Sequence, residues 1–175
     1  IGATYLSQFP TYTKVVLGAS SSVVTLFLTF FTLGIGLGSL MCNRLLKGRI
    51  HATYVPLAAL AMTVFAIDLV LASGHVVSKS GHLQTMGEFL SHLQNWHVLF
   101  DLLFLSMCGG IYVVPLYAIL QSESEPAYRS RVIACNNIMN ALFMVIAALV
   151  TSIMLFLHFS VTHVFILVAL ANVIV

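Results

Sequence analysis

The chain has 175 residues, of which 60% are hydrophobic and only 7% are charged. A soluble domain of this length carries far more charge on its surface, so the composition excludes an ordinary soluble domain and indicates several membrane crossings of about 20 residues each. The formal net charge of +2 is too small to indicate nucleic-acid binding, and no nucleic-acid partner is expected.

Long apolar segments recur along the chain. We expect four complete transmembrane helices, each without Lys or Arg, over residues 23–42, 53–73, 98–120 and 134–157. A partial helix is expected over residues 1–9, ending before Pro10, and a truncated one over residues 161–175. The chain is therefore predicted to be a single all-α transmembrane domain, residues 1–175, cut from a longer membrane protein.

The positions of Lys and Arg predict the orientation, because positively charged loops stay in the cytoplasm. The loop over residues 43–52 carries three of these residues, and the loop over 121–131 carries two. On the opposite side only Lys14 and Lys79 contribute. We therefore expect loops 43–52 and 121–131 to be cytoplasmic.

The predicted external loop over residues 74–95 contains a helical pattern. Its apolar positions are Leu83, Met86, Leu90 and Leu93, opposite the polar positions Gln84, Glu88, Ser91 and Asn95. This spacing predicts a short helix, either lying on the membrane surface with Trp96 at the interface or lying in an ordinary solvated loop.

The second predicted helix ends in small residues. Gly34 and Gly38 lie four residues apart on one face, which favours close packing against another helix. A basic loop follows at once, with Asn43, Arg44 and then KGR at residues 47–49. This arrangement resembles, in a degenerate form, the signature loop of the major facilitator superfamily, with Asn43 in place of the usual acid.

The second basic loop carries a more specific pattern. The run EPAYRSR at residues 125–131 resembles the loop between the tenth and eleventh helices of the same superfamily. Its continuation, RSRVIACNNIMNALFMV at residues 129–145, is similar to the bacterial lysophospholipid transporters, as are LSQFPTY at 6–12 and GSLMCNR at 38–44. Ser130 departs from the Gly more often found there.

This resemblance covers nearly the whole chain and implies a fold and a function. The fold would be the C-terminal six-helix half of a major facilitator transporter, from a partial helix 7 to a truncated helix 12. The implied activity is movement of lysophospholipid from the outer to the inner leaflet of the bacterial inner membrane by alternating access. The implied partners are membrane lipid, the N-terminal half of the transporter, and a fused or associated acyltransferase and acyl-carrier-protein synthetase.

The resemblance also implies roles for individual residues. Polar groups inside the membrane are candidates for contact with the lipid headgroup. They are Gln8, Asp101, Asn136 and Asn140. Residues of the two basic loops would brace neighbouring helices and gate the transporter, namely Gly38, Asn43, Arg44, Gly48, Arg49, Arg129 and Arg131.

The residues alone leave alternatives open for these polar groups. Asn136 and Asn140 share a helix face, where they would either bind a neighbouring helix or line a cavity. Asp101 lies four residues after His97, so it would either pair with that histidine or meet a headgroup. Asp68, in the preceding helix, is expected to be structural. Gly109, Gly110 and Pro115 predict either a break in the helix that carries Asp101, where it would bend around substrate, or a simple packing kink.

Nothing in the sequence indicates an enzyme within these 175 residues. The His97–Asp101 pair has three intervening residues, whereas the acyltransferase motif has four, and the histidine spacings match no zinc pattern. No cofactor and no metal are therefore predicted. The rival functions are a drug or small-solute carrier of the same superfamily, with proton coupling through Asp101, and a membrane anchor without transport that serves a fused lipid-acylating enzyme.

Overall fold

The computed structural model describes residues 1–45, 51–74 and 83–174, with the side chains of residues 43 and 45 left out. The described residues form seven α-helices and no named strand. The helices are α1 Gly2–Thr11, α2 Ser21–Leu45, α3 Val55–Ser73, α4 Met86–Ser91, α5 Leu93–Glu123, α6 Arg129–Phe156 and α7 Val161–Ile174. A π-helical segment, Tyr12–Val16, continues α1.

Four of these helices, α2, α3, α5 and α6, are long and apolar enough to cross a membrane. Helices satisfy their own backbone hydrogen bonds, which is the condition for lying in lipid. The described part of the chain therefore agrees with the expected all-α membrane protein. Helix α7 is apolar but shorter, with 14 residues.

The first helix extends beyond its predicted end. Helix α1 runs through Pro10 to Thr11, and the π-helical segment adds one further turn. Pro10 has no N–H to donate to the preceding turn, and the wider turn after it closes with a bond from Leu17 N to Tyr12 O of 3.2 Å. The chain reverses at Gly18, whose φ of 60° is accessible to glycine without strain.

The two connections predicted to share one side of the membrane do meet. Backbone hydrogen bonds of 2.9 Å join Gln84 N to Gly18 O and Ser20 N to Gln84 O. The connection before α2 and the one before α4 therefore lie at the same end of the helices.

Helix α4 confirms the predicted short helix but not its faces. Thr85 caps it, donating from its backbone N–H to Glu88 and accepting from the Glu88 N–H. Leu83 and Leu93 are exposed, whereas Gln84 and Asn95, assigned to the polar face, are buried. The polar-face assignment was wrong because the Asn95 amide donates to Phe89 O at 2.8 Å, which satisfies it inside the protein.

The core contains an aromatic cluster between α1, α2, α4 and α7, and aliphatic residues of α3 and α5 complete it. The Tyr5 and Phe165 rings stack with centroids 4.4 Å apart, and Phe9 meets Phe31 edge to face at 5.5 Å. Phe27 joins the cluster from α2, and the fully buried Phe89 anchors α4 against it at 6.0 Å. Such ring pairs contribute about 0.5–1.5 kcal/mol each beyond the area that they bury.

Helices α2 and α5 pack closely enough to require glycine. A Cβ on Gly34 would lie 2.4 Å from Leu103 O, and one on Gly38 would lie 2.0 Å from Met107 O. From the other side, a Cβ on Gly110 would lie 2.6 Å from Ile35 O. The predicted packing role of Gly34 and Gly38 is therefore confirmed. We call this contact the glycine seam.

Helix α5 is continuous from Leu93 to Glu123, with Pro115 inside it. The helix is not interrupted at Gly109, Gly110 or Pro115, so of the two expectations a break around substrate is excluded, and Gly110 serves the glycine seam. Helix α5 also packs on α3, and α7 packs on α3. Helix α6 lies at the edge, with Thr151 its one buried residue among those described.

Candidate functional site

A cavity of about 840 Å³ lies among α1, α2, α5, α6 and α7. Most of its wall is apolar, including Phe31, Met62, Phe143 and Val168. Its polar side chains come mainly from Thr4, Tyr5, Ser39, Ser106, Asn140 and Asn172. A volume of this size lies within the range of about 300–1,000 Å³ that is typical of sites for small organic ligands.

Several of these polar groups already have partners. Asn172 Nδ2 donates to Ala59 O at 2.7 Å and to Thr63 Oγ1 at 3.0 Å, which ties α7 to α3. The hydroxyls of Ser39 and Ser106 donate to backbone carbonyls of their own helices. These side chains therefore present little free hydrogen-bonding capacity to a ligand.

Tyr5 is different, because its hydroxyl is buried and has no hydrogen-bond partner in the described part of the chain. An unsatisfied buried polar group costs about 1–3 kcal/mol. Tyr5 belongs to the cavity wall, but its hydroxyl oxygen is shielded from the cavity itself. The sequence reasoning missed Tyr5, since a tyrosine in an apolar stretch has no distinguishing pattern.

The two asparagines of α6 share one partner. Asn136 Nδ2 and Asn140 Nδ2 donate to the Tyr117 hydroxyl oxygen of α5 at 3.1 and 3.0 Å. Asn140 therefore both contacts the neighbouring helix and lines the cavity, whereas Asn136 contacts the neighbouring helix and is not in the cavity wall. Tyr117 was missed because a pairing between two helices leaves no trace in local spacing.

Gln8 lies one turn after Thr4 on α1, and Thr4 lines the cavity. Gln8 itself is not in the wall among the described residues, but its Oε1 atom is buried without a hydrogen-bond partner there. Gln8 therefore lies on α1 one turn beyond the cavity wall, and its Oε1 atom is not exposed to the cavity.

Asp101 lies elsewhere, in the N-terminal third of α5 and beside α3. His97 Nε2 is 3.7 Å from Asp101 Oδ2, which confirms that the histidine and the aspartate are close together. The same nitrogen is 3.0 Å from Asp68 Oδ2 of α3. Asp68 thus joins a group of three titratable side chains, which we call the Asp–His–Asp cluster, and none of the three lines the cavity.

The basic loop residues lie partly outside the described residues, namely Gly48, Arg49 and the side chain of Asn43. Arg44 is exposed in the last turn of α2, where a cation interacts favourably with the helix dipole. Arg129 and Arg131 are exposed in the first turn of α6, where the dipole disfavours cations. Lipid phosphates at the headgroup level would offset that cost.

Comparison of the chain with protein-family models, with curated proteins and with solved structures finds no match.

Proposed function

We propose that the protein transports lysophospholipid from the outer to the inner leaflet, as the C-terminal half of an alternating-access carrier. The observation that carries this proposal is the mostly apolar cavity of about 840 Å³ among α1, α2, α5, α6 and α7. A lysophospholipid combines one long apolar chain with one polar headgroup. A mostly apolar cavity with a few polar groups on its wall suits such a molecule.

The polar groups at and beside the cavity support binding of a headgroup. Asn140 of α6 contributes an amide to the wall, and the hydroxyl of the wall residue Tyr5 is buried without a partner among the described residues. The buried Gln8 Oε1 lies one turn from the wall. Hydroxyl and amide groups can bind phosphate, amine and hydroxyl parts of a headgroup without placing a bare charge in the membrane.

The loose packing of α6 supports a moving part. Asn136 and Asn140 hold α6 to α5 through a single tyrosine hydroxyl, and most of the other α6 residues are exposed. By contrast, the glycine seam fixes α2 against α5 backbone to backbone. In the proposed carrier, α6 and α1 would shift around the cavity while α2, α3 and α5 move as one body.

The test is lipid movement by the full-length protein in sealed vesicles. Fluorescent lysophosphatidylethanolamine is added to the outer leaflet, and its transfer is followed by protection from dithionite. Ala147→Phe places a ring at the cavity wall and should slow transfer by about tenfold or more, as overpacking costs about 1–3 kcal/mol. Ala148→Phe is the matched control, because Ala148 is exposed and outside the wall.

A second pair of variants tests the headgroup contact. Asn140→Leu should slow transfer, whereas Leu at the neighbouring exposed Asn137 should not. Equal transfer by vesicles with and without protein would refute the proposal. So would transfer that Ala147→Phe leaves unchanged, or movement of an amphipathic drug in place of the lysolipid.

A further inference from the structure

Two helices bring three potential metal ligands together at one end of the protein. His97 and Asp101 lie four residues apart on one face of α5, and Asp68 faces them from α3. His97 Nε2 is 3.0 Å from Asp68 Oδ2 and 3.7 Å from Asp101 Oδ2. One ligand atom from each residue lies within 4.8 Å of the other two.

Asp101 is the buried member of this cluster, and one of its carboxylate oxygens lacks a hydrogen-bond partner among the described residues. The residue is 3% exposed, and the oxygen without a partner is Oδ2. That atom is the one that faces His97 Nε2. A buried carboxylate without a donor is costly, and a second carboxylate beside it adds repulsion, so the site attracts a cation.

The spacing of the three atoms fits a small divalent ion. Zinc binds histidine nitrogen and carboxylate oxygen at about 2.0–2.2 Å, so two ligands of a tetrahedral site lie about 3.3 Å apart. The distances of 3.0 and 3.7 Å from His97 Nε2 lie on either side of that value. The third separation is at most 4.8 Å, so a tetrahedral site requires the half-exposed Asp68 carboxylate to move toward Asp101.

We propose that Asp68, His97 and Asp101 bind one divalent transition-metal ion of the zinc type. One imidazole nitrogen and two carboxylate oxygens form a donor set that suits zinc, whereas magnesium and calcium prefer oxygen ligands alone. Asp68 and His97 are 43% and 55% exposed, which leaves a path for the ion and a position for water. The ion would fasten α3 to α5 at this end.

The cluster has a metal-free rival. A protonated His97 would also bridge both carboxylates, and would need no ion. A neutral His97 can bind zinc through the lone pair of its nitrogen, whereas a protonated His97 has no lone pair for a metal. Zinc binding therefore decides between them, and it does so independently of whether the protein moves lysophospholipid.

The experiment is a zinc titration of the full-length protein in detergent micelles, after chelator treatment, in competition with a chromophoric zinc indicator. We expect one equivalent to bind, and we expect Asp101→Asn and His97→Gln each to weaken binding by about tenfold or more. Glu123→Gln and His51→Gln are matched controls, because both residues are exposed and outside the cluster, and they should bind as the unmodified protein does.

Cobalt supplies a readout of the ligands themselves. Co²⁺ in place of zinc should give visible absorption bands that the His97→Gln variant loses, and zinc should raise the unfolding temperature of the unmodified protein but not of that variant. His97 is half exposed, so the variant should fold. The absence of a bound equivalent, or equal zinc affinity in the cluster variants and the controls, would overturn the proposal.

Discussion

The glycine seam makes a quantitative prediction about stability. In Gly38→Ala the new Cβ would lie 2.0 Å from Met107 O, whereas ordinary contacts begin at 3.4 Å. The obstacle is backbone on α5, so no side chain can rotate away, and α2 must retreat by about 1 Å or more. A gap of that size forfeits about a quarter to a half of the dispersion energy of every contact along the seam.

The expected cost is at the upper end of the overpacking range, about 3 kcal/mol. Gly36 supplies the matched control, because nothing lies within 4 Å of the position its Cβ would take. Gly36→Ala should be neutral or stabilising by up to about 1 kcal/mol, through helix propensity alone. Gly110→Ala should resemble Gly38→Ala, since its Cβ meets Ile35 O at 2.6 Å.

The assay is unfolding of the protein in mixed micelles with increasing dodecyl sulfate, followed by circular dichroism. The Gly38→Ala and Gly110→Ala changes should be less than additive in the double variant, because helices already forced apart leave room for the second methyl group. Equal midpoints for Gly38→Ala and Gly36→Ala would refute the close approach of α2 and α5.

Three hydrogen-bonding side chains give smaller effects in the same assay. Tyr117→Phe removes the acceptor shared by Asn136 and Asn140 and should cost about 1 kcal/mol, as hydrogen bonds between membrane helices average about 0.6 kcal/mol each. Asn172→Leu removes two hydrogen bonds from α7 to α3 and should lower the free energy of unfolding by about 1–2 kcal/mol. Thr85→Ala removes the cap of α4 and should cost about 1 kcal/mol.

Each of these three changes has a control at a residue that the structure leaves exposed. Tyr54→Phe, Asn137→Leu and Thr29→Ala alter the same residue types, and each should shift the midpoint by less than about 0.5 kcal/mol. A control that costs as much as its partner would show that the named hydrogen bond contributes nothing specific.

The extent of the long helices could be predicted because the membrane imposes a simple rule. An apolar run of about 20 residues must satisfy its backbone within itself, and α2, α3, α5 and α6 cover the four runs. Their ends were harder to place. Helix α5 begins at Leu93 and not at residue 98, because the polar residues before Val98 find partners inside the protein, such as Phe89 O for Asn95.

In the candidate sites, the contacts within one helix could be predicted, whereas the contacts between helices could not. The shared face of Asn136 and Asn140 follows from helical spacing and was predictable, as was the approach of His97 to Asp101. The partner of the two asparagines is Tyr117, and the further partner of His97 is Asp68, and each partner comes from another helix. Asp68 and His97 are separated by 29 positions, and which faces of two apolar helices meet depends on packing throughout the bundle, which local spacing does not encode.

Helix α5 connects the features on which both proposals rest. Asp101 near its start belongs to the Asp–His–Asp cluster, Gly110 in its middle forms the glycine seam, and Tyr117 near its end holds α6. From Asp101 to Tyr117 the helix rises about 24 Å. The cluster and the asparagine pair thus lie at different levels of α5, and the cavity lies along residues 105–114 between them. Because the seam fixes α5 to α2, an ion at one end would stiffen the frame around the cavity without touching its contents.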